Sequence, residues 1–473
     1  MTKLFAPRPY QFDMISHIHE HKRGALFAAM GLGKTVATLT ALDELYFSGQ
    51  ETKTTLVLAP LRVAQNVWPD ERVKWNHLSG LEVVPIIGTP EERLRALKKD
   101  APVKTINYEN INWLLETLDG KFPFGTVVAD ESSKLKSLRV SVRTSKTGKQ
   151  FLAGQGGKRA RALAKAAYQN RGRWINLSGT PAPNGLIDTY GQIWFLDFGQ
   201  RLGNSFTAFT QRWFDLSYDG YKLTPKQHAQ SEIEKLLKDI CLSLKAEDHF
   251  DLEKPIENII KIELPTRARQ LYHDMERALF LSIGETDVEA FNAASKTMKV
   301  LQLASGFIYT DDQQNYKEVH DEKIQALESI IAEAAGAPIL VAYQFKASLE
   351  RLTRAFKKGR VLDKSSNTIR DWNAGKIPIL FAHPAAAGHG LNLADGGNIL
   401  VFYDIDWNLE NHMQIIERVG PVRQAQAGHK RPVFIHYILA GDTIDEDVLE
   451  RLRTKKTIQD CLLDAMRRNR SLS

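Results

Sequence analysis

Apolar residues along this chain gather in short continuous runs rather than in strict alternation. In the first half the runs are Ala25–Ala29, Thr55–Ala59, Val103–Asn107, Thr126–Ala129 and Trp174–Leu177. The second half has Pro338–Phe345, Arg360–Leu362, Ile377–Ala382, Ile399–Tyr403 and Pro432–Leu439. A run that is apolar at every position suits a strand covered on both faces, and helix-like stretches lie between the runs. The pattern predicts an α/β fold with two parallel sheets flanked by helices, one in each half. The stretch from about Phe198 to Glu257 departs from it. There an aromatic cluster (Phe206, Phe209, Trp213, Phe214) precedes a loop around Tyr218–Pro225, and Ile233, Leu236, Leu237 and Ile240 predict a helix over Ser231–Leu244. This stretch reads as the connection between the halves with a small helical elaboration. It sets a first domain at residues 1–250 and a second at 251–473, the latter opening with a helical region over Thr266–Phe307.

A length of 473 residues suits two or three domains, and 43% apolar with 25% charged residues suits a soluble globular protein. Cys241 and Cys461 stand far apart, which excludes a disulfide framework or zinc spacing and points to a reducing compartment such as the cytoplasm. No apolar run is long enough to cross a bilayer, and the first residues lack a secretory leader pattern. The formal net charge of +7 suits an anionic partner such as nucleic acid. Residues 132–176 sharpen that reading: they hold Lys134, Lys136, Arg139, Arg143 and further basic residues, and no Asp or Glu. A phosphate-backbone contact surface explains the bias; a solvated loop with one basic helix face is the alternative.

Leu26-Phe-Ala-Ala-Met30-Gly31-Leu32-Gly33-Lys34-Thr35 carries the sharpest chemistry. It runs from an apolar strand through a glycine loop to a helix start, the pattern of a phosphate cradle, with Ala28 where the first glycine usually stands. Small residues let backbone N–H groups approach phosphate oxygens. Lys34 reaches the β and γ phosphates, and the Thr35 hydroxyl suits Mg²⁺. A helix over Val36–Tyr46 turns its positive end toward the same phosphates. Next, Thr126-Val-Val-Ala-Asp130-Glu131 sets two acids at a strand end: Asp130 to hold Mg²⁺, Glu131 to polarise an attacking water. Ser178-Gly179-Thr180 ends another strand with hydroxyls suited to report the state of the acids. Ahead of the loop, in Arg8-Pro9-Tyr10-Gln11, the Gln11 amide offers both a donor and an acceptor to an adenine edge.

The order and wording of these segments resemble helicase superfamily two, and within it the Swi/Snf-type ATPases rather than the RNA-unwinding DEAD-box proteins. The second half agrees. Val341-Ala-Tyr343-Gln344-Phe345 looks like motif IV, Gly388-His-Gly390-Leu-Asn392-Leu393 like motif V, and Gln414-Ile-Ile-Glu-Arg418 like motif VI. With few insertions, the chain looks most like compact phage-type relatives. The resemblance implies two tandem RecA-like lobes with ATP and Mg²⁺ in the cleft between them. It implies that Arg8, Gln11 and residues 30–35 bind nucleotide, and that Lys34, Asp130, Glu131, Gln414 and an arginine of the second lobe carry hydrolysis. It also implies nucleic-acid contacts at Arg62, Asn107, Tyr108, Gln344, Gly390 and Asn392, beside Lys134 and Lys136. A monomeric DNA translocase is expected, acting on double-stranded or forked DNA with replication or recombination partners, in the host-cell cytoplasm if phage-encoded. Two departures from the pattern stand out. Ser132-Ser133 replaces the usual Ala-His, and Pro421 stands where the second arginine of motif VI is expected, with Arg423 two residues later. Either Arg418 or Arg423 then serves the γ-phosphate. An RNA-directed helicase and a nucleotide-regulated DNA-binding protein with little turnover are the rival readings.

Overall fold

In the computed structural model, the described residues are 2–144, 150–179, 181–182, 185–216, 223–245, 248–249, 253–281, 298–311, 314–363, 366–387 and 391–454. The chain forms two compact units, residues 1–249 and 250–454.

The first unit is built on β1 (Arg23–Ala28), β2 (Thr55–Ala59), β3 (Val83–Pro85), β4 (Val103–Asn107), β5 (Thr126–Asp130), β8 (Arg173–Ser178) and β11 (Cys241–Leu244), with order β11-β1-β8-β5-β2-β4-β3. All neighbours are parallel. Five of these strands are apolar runs of the sequence, and β2, β4 and β5 are buried at every position, as strands covered by helices on both faces require. Each fully buried Leu, Val or Ile in them contributes roughly 1.5–3 kcal/mol relative to an exposed one. Two hairpins decorate the unit: β6–β7 (Leu138–Thr144 with Gln150–Gly156), and β9–β10 (Phe214–Leu216 with Leu223–Pro225).

The Phe198–Glu257 stretch differs from its expected role as a connector. The helix ends at Leu237, and Cys241–Leu244 is the edge strand β11, paired with Ala25–Ala28. Cys-Leu-Ser-Leu is buried along its whole length, and a short apolar run of this kind suits either element until its neighbour is known.

The second unit has a six-stranded parallel sheet of β12 (Ile256–Ile262), β15 (Ile339–Ala342), β16 (Gly359–Val361), β17 (Ile379–Ala382), β18 (Ile399–Phe402) and β19 (Phe434–Ala440), in the order β12-β19-β18-β15-β17-β16. A small hairpin joins β13 (Phe307–Tyr309) to β14 (Tyr316–Glu318). In the helix Glu322–Glu333, Lys323 is buried, 2.7 Å from the equally buried Asp445, and donates to the Tyr403 carbonyl. A buried ion pair repays its desolvation only with such added hydrogen bonds. Among the described residues, no helix is long and apolar enough to cross a membrane.

Candidate functional site

In the first unit, the segments singled out by sequence emerge from the carboxyl ends of adjacent parallel strands: the glycine loop from β1, Ser178-Gly179 from β8, Asp130-Glu131 from β5 and Pro60-Leu-Arg62 from β2. Open parallel sheets bind ligands at this edge. Gly31 and Gly33 have φ of 87° and 80°, left-handed values that glycine adopts without strain. Gly33 caps α2 (Lys34–Phe47), so Lys34 and Thr35 are its first two residues. Lys34 Nζ donates to the Ala28 carbonyl at 2.7 Å and the Ala29 carbonyl at 3.3 Å, which holds the ammonium over the loop.

Gln11 lies on α1 (Pro9–Glu20), beginning after Arg8. Its Oε1 accepts from the Arg8 backbone N–H at 2.9 Å, and its Nε2 donates to the Leu32 carbonyl at 3.3 Å. A Cβ added at Gly33 would meet that Nε2 at 2.5 Å. A glutamine side-chain amide bears two N–H groups and two lone-pair sites; one of each is committed within the chain at Gln11. Across the loop, Gly179 packs so closely that a Cβ there would meet Met30 Cγ at 2.9 Å.

Asp130 is buried, and both carboxylate oxygens accept hydrogen bonds: Oδ2 from Trp68 Nε1 at 2.8 Å, Oδ1 from the Glu131 N–H at 3.1 Å. Burial pushes its carboxyl above the usual carboxylate range; the Trp68 bond, the Lys34 charge and the Glu131 N–H pull the other way. Glu131 has φ 56° and ψ 57°, a left-handed conformation that costs a non-glycine residue roughly 1 kcal/mol. The bend takes the chain off β5 into a single turn at Ser132–Leu135. Among the described residues no cluster of three or more His, Cys, Asp or Glu could hold a metal. One hydroxyl (Thr35) and one carboxylate (Asp130) is nevertheless the kind of donor set that holds Mg²⁺ together with substrate phosphates.

Ser132 sits beneath that bend. Its buried hydroxyl donates to Gln192 Oε1 at 2.8 Å; Gln192 Nε2 in turn donates to the Pro181 carbonyl and, at 3.0 Å, to that of Asp188. Asn176 of β8 donates to the Gln192 carbonyl at 2.9 Å. Gln192 thus ties the acidic turn to the residue after Thr180; Thr180 itself lies outside the described residues. Replacing Gln192 with leucine leaves the Pro181 and Asp188 carbonyls without this donor in a buried site. The expected loss is about 1–3 kcal/mol of stability, read from urea unfolding. An unchanged midpoint would show that the linkage carries no weight.

The residues expected to touch nucleic acid are placed unequally. Arg62 is half-buried, beside the exposed Leu61. Asn107 and Tyr108 are buried; Asn107 donates to Glu109 at 2.8 Å, and the Tyr108 hydroxyl donates to the Asp130 carbonyl at 2.9 Å. Lys134 is exposed, whereas Lys136 lies 3.6 Å from Asp188. Elsewhere in the basic segment, Arg139 covers the Phe206 ring at 3.7 Å, Arg159 pairs with Glu109 at 3.3 Å, and Arg173 donates to the His21 carbonyl at 3.1 Å. Part of the positive charge is therefore held by the protein itself. The turn of the β6–β7 hairpin, residues 145–149, lies outside the described residues.

In the second unit the same edge is populated. Gln344 follows β15, and Asp404, following β18, accepts from its backbone N–H at 2.9 Å. Asn392 Oδ1 accepts from the Ala394 N–H at 3.3 Å, while Gly390 is outside the described residues. Gln414 and Arg418 lie on the helix Leu409–Val419, both buried. Gln414 donates to Glu410 at 3.3 Å, and Arg418 donates to the Leu391 carbonyl at 3.1 Å. That helix stops at Gly420, where an added Cβ would meet the Ile416 carbonyl at 2.9 Å. Pro421 then opens a second helix, Pro421–Gln426, which carries Arg423. The proline thus breaks one helix into two and puts the two arginines on different pieces.

Sequence reading missed Trp68 and Gln192. The signal for Gln192 was a single amide in the otherwise apolar run Tyr190–Phe195; for Trp68 it was only a tryptophan ahead of a proline.

Comparison with known proteins adds a family. A model of the SNF2-related domain matches residues 13–321, and one of the helicase conserved C-terminal domain matches residues 322–422. The chain is 56% identical over 471 residues to protein p41 of Acyrthosiphon pisum secondary endosymbiont phage 1, covering 98% of this chain and 100% of that one. It is 24% identical to the nuclear protein STH1/NPS1 of Saccharomyces cerevisiae, across 96% of this chain and 34% of the yeast protein. It is 26% identical to the DNA repair and recombination protein RAD54-like of Drosophila ananassae, across 97% of this chain and 62% of that one. The chain therefore spans less than two thirds of either eukaryotic relative. A solved Sulfolobus solfataricus SWI2/SNF2 ATPase core in complex with dsDNA is similar over 98% of this chain and 95% of its own, with 19% identity and a TM-score of 0.44.

Proposed function

The chain belongs to the SNF2-related family of helicase-type ATPases, and on that premise we propose that it is an ATP-driven DNA translocase. The observation that carries the reading is the convergence of the glycine loop, Ser178-Gly179 and Asp130-Glu131 on three neighbouring strand ends of one sheet, β1, β8 and β5. Gln11 reads the adenine edge. Lys34, released from the Ala28 and Ala29 carbonyls, binds phosphate oxygens. Thr35 and Asp130 hold Mg²⁺, which when bound supplies positive charge against the phosphates. Glu131 accepts a hydrogen bond from the attacking water and orients it. Arg418, or Arg423, provides the cation that stabilises charge on the transferring phosphoryl group. The Ser132–Gln192–Pro181 linkage joins the acidic turn to Pro181, close in sequence to Ser178-Gly179, so a change at one would be felt at the other.

DNA contacts through phosphates make the binding sequence-independent and sensitive to salt. Net charge and the exposed Leu61, the half-buried Arg62 and the exposed Lys134 support a DNA surface on the first unit. Translocation along duplex or forked DNA, with branch migration or limited unwinding as its consequence, is the activity proposed. Steady-state ATP hydrolysis at fixed low salt tests it, with no nucleic acid, single-stranded DNA, duplex DNA, forked DNA or RNA. Duplex or forked DNA is expected to stimulate turnover at least about tenfold, roughly 1.4 kcal/mol off the barrier. Preferential stimulation by RNA would move the reading to an RNA helicase. No stimulation by any of them would overturn it in favour of a nucleotide-regulated binding protein.

A further inference from the structure

We propose that Trp68 and Tyr108 carry DNA engagement at residues 60–66, the segment ahead of Trp68, to the acidic pair Asp130–Glu131. The inference rests on the DNA-translocase reading and deepens it: it names the route by which a bound strand acts on hydrolysis.

Both residues come from strand ends on one side of β5. The chain leaves β2 through Pro60, the exposed Leu61 and Arg62, makes a π-helical turn at Val63–Val67, and enters α3 (Trp68–Lys74). Trp68, the first residue of α3, is fully buried, with its indole N–H on Asp130 Oδ2 at 2.8 Å. Tyr108 follows β4 directly, and its hydroxyl reaches the Asp130 carbonyl at 2.9 Å and the Glu131 carbonyl at 3.5 Å. One aromatic tip holds the carboxylate and the other holds the backbone of the same two residues. The two arms are also joined, since Thr105 of β4 donates through its hydroxyl to the Ala64 carbonyl in the π-helical turn.

Three physical features make this a transmission rather than a passive packing. Tryptophan and tyrosine side chains turn about only two χ angles, so a shift of their backbone appears at their polar tips with little slack. A π-turn is a wider, less favourable turn than an α-turn and recurs at functional sites, where it accommodates local changes of register. Glu131 already occupies a left-handed conformation, held by its surroundings, and such strained residues persist only where the structure over-determines them. A phosphate backbone engaging Leu61, Arg62 and the exposed Gln65 and Asn66 would act on the first of these arms. The carboxylate and the acidic turn then move with Trp68 and Tyr108. Both are therefore positioning residues: neither touches the reacting atoms.

Tyr108→Phe keeps the ring and removes only the hydroxyl donor; Trp68→Phe removes the indole N–H together with the five-membered ring of a fully buried side chain. With the full chain, ATP turnover is measured without DNA and with saturating duplex DNA, while DNA affinity is followed by fluorescence anisotropy. Each variant is expected to lower the ratio of stimulated to basal turnover about fivefold or more, with the DNA affinity of Trp68→Phe kept within about twofold of wild type. A purely structural role would lower both turnovers together and leave the ratio unchanged; that result would overturn the proposal. A measurement on the unaltered protein guards against misfolded variants: amide exchange at residues 130–133 with and without duplex DNA, in the absence of nucleotide. DNA-dependent protection there is expected, and its absence would overturn the coupling. If the wild-type enzyme itself shows no stimulation by any nucleic acid, the translocase reading fails first. Stimulation in the wild type with unchanged ratios in both variants removes only the Trp68–Tyr108 route.

Discussion

Arg418→Ala is expected to lower DNA-stimulated kcat about a thousandfold while leaving nucleotide affinity within a few-fold of wild type. The magnitude follows from what the residue is asked to do. In phosphoryl transfer there is little covalent work for the protein, so a cation set against the developing charge supplies several kcal/mol of the barrier reduction. Arg418 is buried in the last turn of its helix and donates to the Leu391 carbonyl, so its guanidinium is anchored rather than free to sample solvent. Arg423 is half-buried on the short helix that Pro421 begins, and donates to Gln426 at 3.5 Å. Single-turnover hydrolysis, with fluorescent-nucleotide binding in parallel, separates the two. If Arg423→Ala gives the larger loss of kcat and Arg418→Ala the smaller, the charge-stabilising role belongs to Arg423 and the helix break has moved it. If both variants turn over normally, neither arginine serves the γ-phosphate.

Glu131→Gln should reduce turnover by about a hundredfold or more and preserve ATP binding. The substitution keeps the shape of the side chain and removes its charge, so it leaves the phosphate loop and Asp130 in place and takes away only the group that accepts from the attacking water. The left-handed backbone at Glu131 tolerates glutamine no worse than glutamate, so stability should hardly move. Rapid-quench measurement of a single turnover, with equilibrium nucleotide binding alongside, checks both halves of the expectation. A variant that hydrolyses at the wild-type rate would take Glu131 out of the reaction. Loss of binding together with turnover would show that the carboxylate acts on nucleotide affinity instead.

How much of this was legible beforehand depended on how local the cause was. The ten apolar runs all contain strands, and most were legible because a strand buried on both faces writes its environment into every residue, as Thr55–Ala59 and Ile399–Phe402 do; Gly359–Val361, half-exposed at the sheet edge, is the exception. The glycine loop was legible for the same reason: the positive φ of Gly31 and Gly33 is a property of those residues and their spacing. Edge strands were harder. β11 looked like the end of a helix, and β12 passed unnoticed because its residues alternate between exposed and half-buried along most of its length. Their strand character comes from β1 and β19, which the local sequence does not contain. Long-range polar contacts were harder still. Trp68 meets Asp130 across 62 residues, and Ser132 meets Gln192 across 60, so nothing near either partner announced the other. The family pattern drew attention to Ser132 as a departure but held no hint that Gln192 would answer it.

The closeness of Gln11 to Gly33 bears on fidelity. Because the amide proposed to read the base also bonds the Leu32 carbonyl and fills the space a side chain at residue 33 would need, base and phosphates would not be sensed by separate parts. A nucleotide presenting the wrong hydrogen-bonding edge would have to draw Gln11 away from the loop, and would loosen the cradle that its own phosphates require. Discrimination among nucleoside triphosphates would then be exercised at the point of fuel acceptance: a mismatched base is refused as a poorly seated triphosphate, before a motor cycle is spent on it.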